Sequence, residues 1–443
     1  MNTMIYILLG MAGMISLLFF LRNPELPMTV LFPLLWLFWS YNAPLLGGRL
    51  ERVIGLIAIV GMFIVLAKRR HILPLPPLVF TGLVLLIGAY MTSSLVNSIP
   101  NPLDNIVSLT TRFLFLYVAF FLLYTPENLR LASVLLIITG LIGAVIILYL
   151  NLIWGFGFFR TYTGFLLARS LGEFGYALII GGNSLTISAI LLISVAPTLP
   201  SSSKRNLAQI GAIFLFAMAF VAQFRREILI SALLVLLYLI ATNSGDIRKP
   251  AIWVLLGMGV FYVFALLPSQ IFQQRLAEGA MLAQGTDPRL LSLQAGLQAF
   301  LQAPFWGTGP TSYEATSYRV LGSGYAGFYY HSYNVFIYFA VEAGIFGLGG
   351  LLLILYGVFR KARQSQAPPE SPQGWILSSA PGFMIIIVVS FTFGNYYEMS
   401  LPWFLMGMIL SAARLAEMPA TAKEDSLPRK YERLSINNRQ NAR

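Results

Sequence analysis

The sequence predicts an all-α, polytopic helical membrane protein with about 12–13 transmembrane helices and one large structured extracytoplasmic loop. Three observations predict it. Of the 443 residues, 57% are hydrophobic and only 10% are charged, whereas a soluble domain is about half apolar and about a quarter charged. The apolar runs are continuous rather than alternating, which argues against a β-barrel. The basic residues gather in short clusters between those runs, as topology signals do.

The candidate spans lie near residues 3–21, 26–44, 53–67, 76–96, 107–124, 131–151, 175–197, 207–224, 228–243, 251–268, 332–357, 375–394 and 401–416. The first lacks a basic n-region and a small-residue cleavage site, so it is expected to be a retained helix rather than a removed signal peptide. Twelve crossings result if two of the early segments share one crossing or one re-enters. Lys68-Arg69-Arg70, Lys204-Arg205, Arg248-Lys249, Arg360-Lys361 and Arg429-Lys430 alternate correctly with the spans. The positive-inside rule places them in the cytoplasm. The N-terminus is then outside with thirteen helices or inside with twelve.

Four regions follow. Residues 1–268 carry the N-terminal spans, about ten of them. Residues 269–331 form the outer loop, 332–416 the C-terminal spans, and 417–443 a polar, basic tail expected to be disordered and cytoplasmic. Within the loop, Asp287-Pro288 has the form of a helix N-cap followed by Pro in the first turn. The spacing of Leu290, Leu291, Leu293, Leu297, Phe300 and Leu301 predicts an amphipathic helix over 288–302, which Pro304 stops. That pattern suits a helix on the outer surface with aromatics at the headgroup level.

Composition also excludes chemistries. There is no cysteine, hence no thiol nucleophile or thiolate metal site. The two histidines, His71 and His331, cannot by themselves form a usual zinc site. No metal and no cofactor is expected. The net charge of +12 is not laid out as a nucleic-acid footprint.

Every lysine falls on the cytoplasmic side, while the outer basic residues are all arginine. A guanidinium grips phosphate bidentately, so this bias suits an outer face that handles phosphate. It also suits lysine acting as the topology signal with arginine elsewhere by chance. Arg225 and Arg226 sit at an outer hairpin, "VAQFRREILI". They read either as snorkelling helix-end residues or as a binding site, and their placement against the positive-inside rule favours the second. Arg289 opens the surface helix, where free N–H groups already favour an anion. Asp287 or Glu278 could instead pair with it. Arg112 and Arg169 extend the same basic surface as further substrate contacts. His331 is the only outer histidine. It reads as a headgroup-level anchor or as a general base. Asn334, Tyr338 and Glu342 follow it on one helical face, with Glu342 a structural partner about 16 Å deeper. Arginines that bind a diphosphate and a histidine that accepts a hydroxyl proton would serve group transfer from a lipid diphosphate to an alcohol.

Several of these stretches resemble the O-antigen ligase/polymerase family. In "DPRLLSLQAGLQAFLQAPFWGTGPTSYEA", Arg289, Pro304, Gly307, Gly309 and Tyr313 match its central signature. In "HSYNVFIYFAVEAGIFG", Glu342, Gly344 and Gly347 match the next block. "FRREILISALL" resembles the upstream block where an arginine opens a span, and "ARSLGEFG" is a weaker match. The resemblance implies a multi-pass glycosyltransferase of the bacterial inner membrane, with its site facing the periplasm. Its donor would be an undecaprenyl-diphosphate-linked glycan. The acceptor would be the lipid A core in a ligase, or another lipid-linked glycan in a polymerase. The His/Arg constellation leans toward ligase. The family's functional residues carry over to Arg225 or Arg226, Arg289 and His331. In one respect the chain departs from the pattern: counting back from Glu342, the family's His-Asn pair falls on Tyr333-Asn334, with His331 two residues earlier. The base is therefore His331, or Tyr333 shares its role. Tyr313, Tyr333 and Asn334 are further candidate substrate contacts. A lipid or polysaccharide transporter or flippase is the rival class, but no repeat of matching halves supports it.

Overall fold

The computed structural model describes residues 20–35, 50–69, 73–99, 102–154, 182–223, 226–242, 248–261, 263, 288–321, 332–394 and 400–418. Residues 3–19 of the first expected span, 36–44 of the second, 175–181 of the seventh, 264–268 of the tenth, the outer-loop residues 269–287 and 322–331, and the tail after 418 lie outside them. Among the described residues the chain is helical and has no strand. After a π-helical turn at Pro27–Leu31 and a short turn at Phe32–Leu35, the helices are α1 (Leu50–Arg69), α2 (Pro77–Val96), α3 (Pro102–Leu122), α4 (Pro126–Trp154), α5 (Gly182–Val195), α6 (Ser202–Gln223), α7 (Arg226–Thr242), α8 (Arg248–Phe261), α9 (Pro288–Gln302), α10 (Tyr313–Leu321), α11 (Val335–Gln364), α12 (Pro372–Phe393) and α13 (Ser400–Glu417). Four of them, over Pro77–Val96, Pro126–Ile153, Val335–Gln364 and Pro372–Phe393, are long and apolar enough to cross a bilayer. Shorter apolar helices accompany them in α1, α3, α5, α7 and α8. The protein is an all-α polytopic membrane protein.

Helix association in lipid gains little from hydrophobicity and relies on close backbone packing and polar contacts. Both are present. The α2–α11 pair forms an antiparallel seam. A Cβ on Gly82 would lie 2.7 Å from the Gly350 carbonyl oxygen, and one on Gly350 would lie 2.8 Å from that of Gly82. Farther along, a Cβ on Gly357 would meet Val79 at 2.9 Å. Elsewhere polar side chains join helices. Ser188 donates to the Leu136 carbonyl at 2.8 Å, Asn183 to Ser390 at 2.9 Å, and Ser379 to Ser194 at 2.8 Å. Gly407 lets α13 approach the backbone of α3 at Leu116, and Ser411 hydrogen-bonds the Leu123 carbonyl. Phe32 stacks on Phe404 at 4.2 Å, and Trp403 meets Phe113 edge-on at 4.6 Å, which fixes α13 in the core. At one end of α11 Lys361 bonds Glu417 at 2.6 Å, and Ser365 donates to the same carboxylate at 2.8 Å.

One element departs from its expected form. The apolar run 332–357 predicts a continuous helix, but α11 is broken at Gly344, where φ is 66° and ψ is −163°. Only glycine adopts that backbone region readily. The break splits α11 into a nine-residue segment, 335–343, and a long span that ends in the basic cluster.

Candidate functional site: a loop docked in a broken helix

The break frees carbonyls that a continuous helix would use, and the 303–311 loop takes them up. Thr308 N donates to the Val341 carbonyl at 2.7 Å, and Gly309 N donates to the Glu342 carbonyl at 3.2 Å. Ile345 N donates back to the Pro304 carbonyl at 2.8 Å. The Thr308 hydroxyl adds a bond to Val341 O at 3.1 Å. Such an exchange satisfies buried backbone groups that would otherwise carry a full desolvation cost. It also explains the glycines. Gly307 has φ 73°, and a Cβ there would sit 2.5 Å from the Glu342 carbonyl carbon. At Gly309 φ is 101°.

The last turns of α2 hold the same junction. Tyr90, Ser93 and Asn97 lie at i, i+3 and i+7, so they share one face. The Tyr90 hydroxyl donates to Glu342 Oε2 at 2.9 Å, and the Ser93 hydroxyl to the Glu342 carbonyl at 2.6 Å. Asn97 Nδ2 donates to the Gly307 carbonyl at 3.1 Å. Glu342 is buried, 1% exposed, and the backbone amides of Thr311 and Tyr313 are turned to its carboxyl. Glu342 is therefore the hub that joins α2, the loop and α11. Sequence reasoning did not single out Tyr90, Ser93 or Asn97. The signal was a polar face in an otherwise apolar span. Tyr90→Phe removes one donor from a buried carboxyl, which costs about 2 kcal/mol; thermal unfolding of the purified variant in nanodiscs checks this.

Two further groups fix the entry to α11. Asn334 caps the helix by accepting from Ile337 N at 3.0 Å, and its Nδ2 donates to the Thr392 carbonyl at the end of α12, also at 3.0 Å. Both ends of its amide are thus engaged with protein. Tyr313, at the start of α10, is 3% exposed. Its hydroxyl donates to the Ser292 carbonyl at 2.8 Å and lies 3.1 Å from Ser292 Oγ. Burial pushes its phenol above the usual tyrosine range, partly offset by hydrogen bonds with the side chains of Ser292, Ser332 and Ser317. It stays protonated at neutral pH and serves as a donor. Tyr313 thus ties the start of α9 to the residues just before α11; in the sequence Ser292 follows Arg289 by three residues and Ser332 follows His331.

The other candidates stand as follows. Arg112 is on α3, Arg226 is the first residue of α7, and Arg289 is the second residue of α9. Tyr333 is half-buried in the bend before α11. Arg169, Arg225 and His331 lie outside the described residues, as does Asp287, the N-cap expected for α9. Tyr313→Phe is expected to cost about 1 kcal/mol of stability and to lower turnover more than substrate affinity, which steady-state kinetics on the purified protein would reveal.

No curated protein matches the chain. Residues 211–352, which contain α7, α8, α9, α10, the docked loop and the break in α11, match the model of a family described as O-Antigen ligase. Over that stretch the chain is similar to this family.

Proposed function

We propose that this protein is a glycosyltransferase that moves a glycan from undecaprenyl diphosphate to a hydroxyl acceptor on the outer side of the bacterial inner membrane. The acceptor would be the lipid A core, which makes the protein an O-antigen ligase. The observation that carries this reading is the Tyr313 junction within the family-matched segment: it links the first turns of α9 to the entry of α11. Arg289 precedes Ser292 by three residues and His331 precedes Ser332 by one, which supports the two acting at one site.

In the reaction the acceptor oxygen attacks the anomeric carbon of the donor. His331 takes the hydroxyl proton as the new C–O bond forms and the sugar–phosphate bond breaks. The diphosphate leaves on its polyprenyl chain, its charge held by Arg289 and by Arg225 or Arg226. Arg112, Arg169 and Tyr333 would line the approach, while Tyr313 and Asn334 hold it in shape. The arginines supply the positive charge that a divalent ion would otherwise bring, so transfer should proceed in the presence of a chelator. The basic end of α11, at Lys361 and Arg363, would face the cytoplasm, as would the C-terminus.

The test supplies a defined undecaprenyl-diphosphate oligosaccharide with and without lipid A core. One shifted product that requires the core supports the ligase. A ladder formed from the donor alone would instead assign a polymerase of the same family.

A further inference from the structure

Helix α9 has three faces of different chemistry. Ser292, Ala295 and Ala299 are buried, and Gly296 lies against Tyr313 and Ile337. Gln298 and Gln302 form an exposed polar row, and exposed Gln294 lies at its edge beside the leucines. Between the glutamine row and the buried face run Leu290, Leu297 and Leu301, which are 45%, 43% and 73% exposed. Their spacing of seven and four residues puts them in a single stripe.

That stripe does not end with the helix. It leads into Phe305 and Trp306, 63% and 45% exposed. Trp306 stacks on Phe346 with ring centroids 5.5 Å apart. Exposed residues then continue along the long span of α11 as Ile345, Leu352 and Tyr356, again at spacings of seven and four. The apolar face of α9 is therefore continuous with the lipid-facing side of a membrane-spanning helix.

The orientation of α9 agrees. It runs beside the 335–343 segment, with Gly296 at Ile337 and Phe305 at Gly344. Asn334 anchors that segment to the end of α12, and Glu342 anchors it to the last turns of α2. Its nine residues, about 13 Å of helix, bridge the ends of two spans, so the segment lies across them. By the same packing α9 lies across them too.

We propose that α9 and the Phe305–Trp306 turn are inserted among the acyl chains of the leaflet opposite Lys361 and Arg363. The leucine stripe faces lipid and the glutamine row marks the water boundary. The partner is the bilayer itself, and the insertion does not depend on the transferase reading.

The chain has no cysteine, so single cysteines can be placed without a background. Nitroxide labels at Leu297→Cys, Leu301→Cys and Phe305→Cys, and at Gln298→Cys and Gln302→Cys, are compared in nanodiscs of phosphatidylethanolamine and phosphatidylglycerol. Leu352→Cys on α11 serves as the acyl-chain reference. All six positions are exposed, and each variant is first checked for an unchanged unfolding temperature. The ratio of oxygen to nickel-chelate accessibility should match the reference at the leucine and phenylalanine positions. It should be about ten-fold lower at the glutamines. Equal nickel access at all five would overturn the proposal. So would leucine labels shielded from both reagents, which would mean that another part of the chain or a second copy covers the stripe.

Discussion

Gly344→Ala should lose the outer half of the structure. An alanine there must hold φ 66° and ψ −163°, which costs about 2 kcal/mol in strain. Its Cβ would also lie within 2.1 Å of the Phe305 carbonyl oxygen, a backbone atom of the docked loop. Moving that loop costs about 2 kcal/mol more. Relaxation into a continuous helix is no escape, because the segment's bonds to Thr308, Gly309, Tyr90 and Ser93 would break together. We expect a variant that inserts into the membrane, unfolds at much lower temperature and has no activity. Gly88→Ala is the control: nothing lies within 4 Å of a Cβ at Gly88 on α2, and alanine is the better helix former by about 1 kcal/mol. Thermal unfolding of both variants in nanodiscs separates the two outcomes.

His331→Ala is expected to lower the rate of glycan transfer by about 100-fold or more, the usual contribution of a positioned general base, with donor binding unchanged. Tyr333→Phe should retain most of the rate if His331 alone takes the proton. A reversed pattern would move the base to the position where the family's usual His-Asn pair begins. The distinction rests on geometry as well as chemistry. Ser332 interacts with Tyr313, and Asn334 is fixed at both ends of its amide. Tyr333 thus stands between two anchored residues, Ser332 and Asn334.

Much of the fold was legible in the sequence because bilayer thickness imposes run length. From residue 50 onward the helices fall on the apolar runs, and α9 covers the stretch where leucine spacing predicts a helix. The turn chemistry of "PFWGTGP" was also readable, since Pro304 and two glycines stop a helix and permit positive φ. What it was for was not readable. Gly344 sits in an apolar run where glycine is commonly a packing residue, and nothing local distinguishes that use from a helix break. The break depends on a loop about forty residues away that supplies the missing donors. The Tyr90–Ser93–Asn97 face was hidden for a related reason: a polar side chain in a span shows that a partner exists but not which one. Glu342 was expected to be a structural partner within the bundle, and its burial against Tyr90 agrees. The second loop helix, α10, carries too few apolar residues for its periodicity to stand out.

The central claim is that an outward-facing site transfers a glycan from a lipid diphosphate. Its most direct test places the purified protein in liposomes with a defined undecaprenyl-diphosphate oligosaccharide, lipid A core and a metal chelator, and follows the glycan by mass spectrometry. The account predicts a new glycosidic bond to the acceptor, with free undecaprenyl diphosphate released in equal amount. Movement of intact donor between leaflets, with no bond formed, would contradict it and point to a transporter.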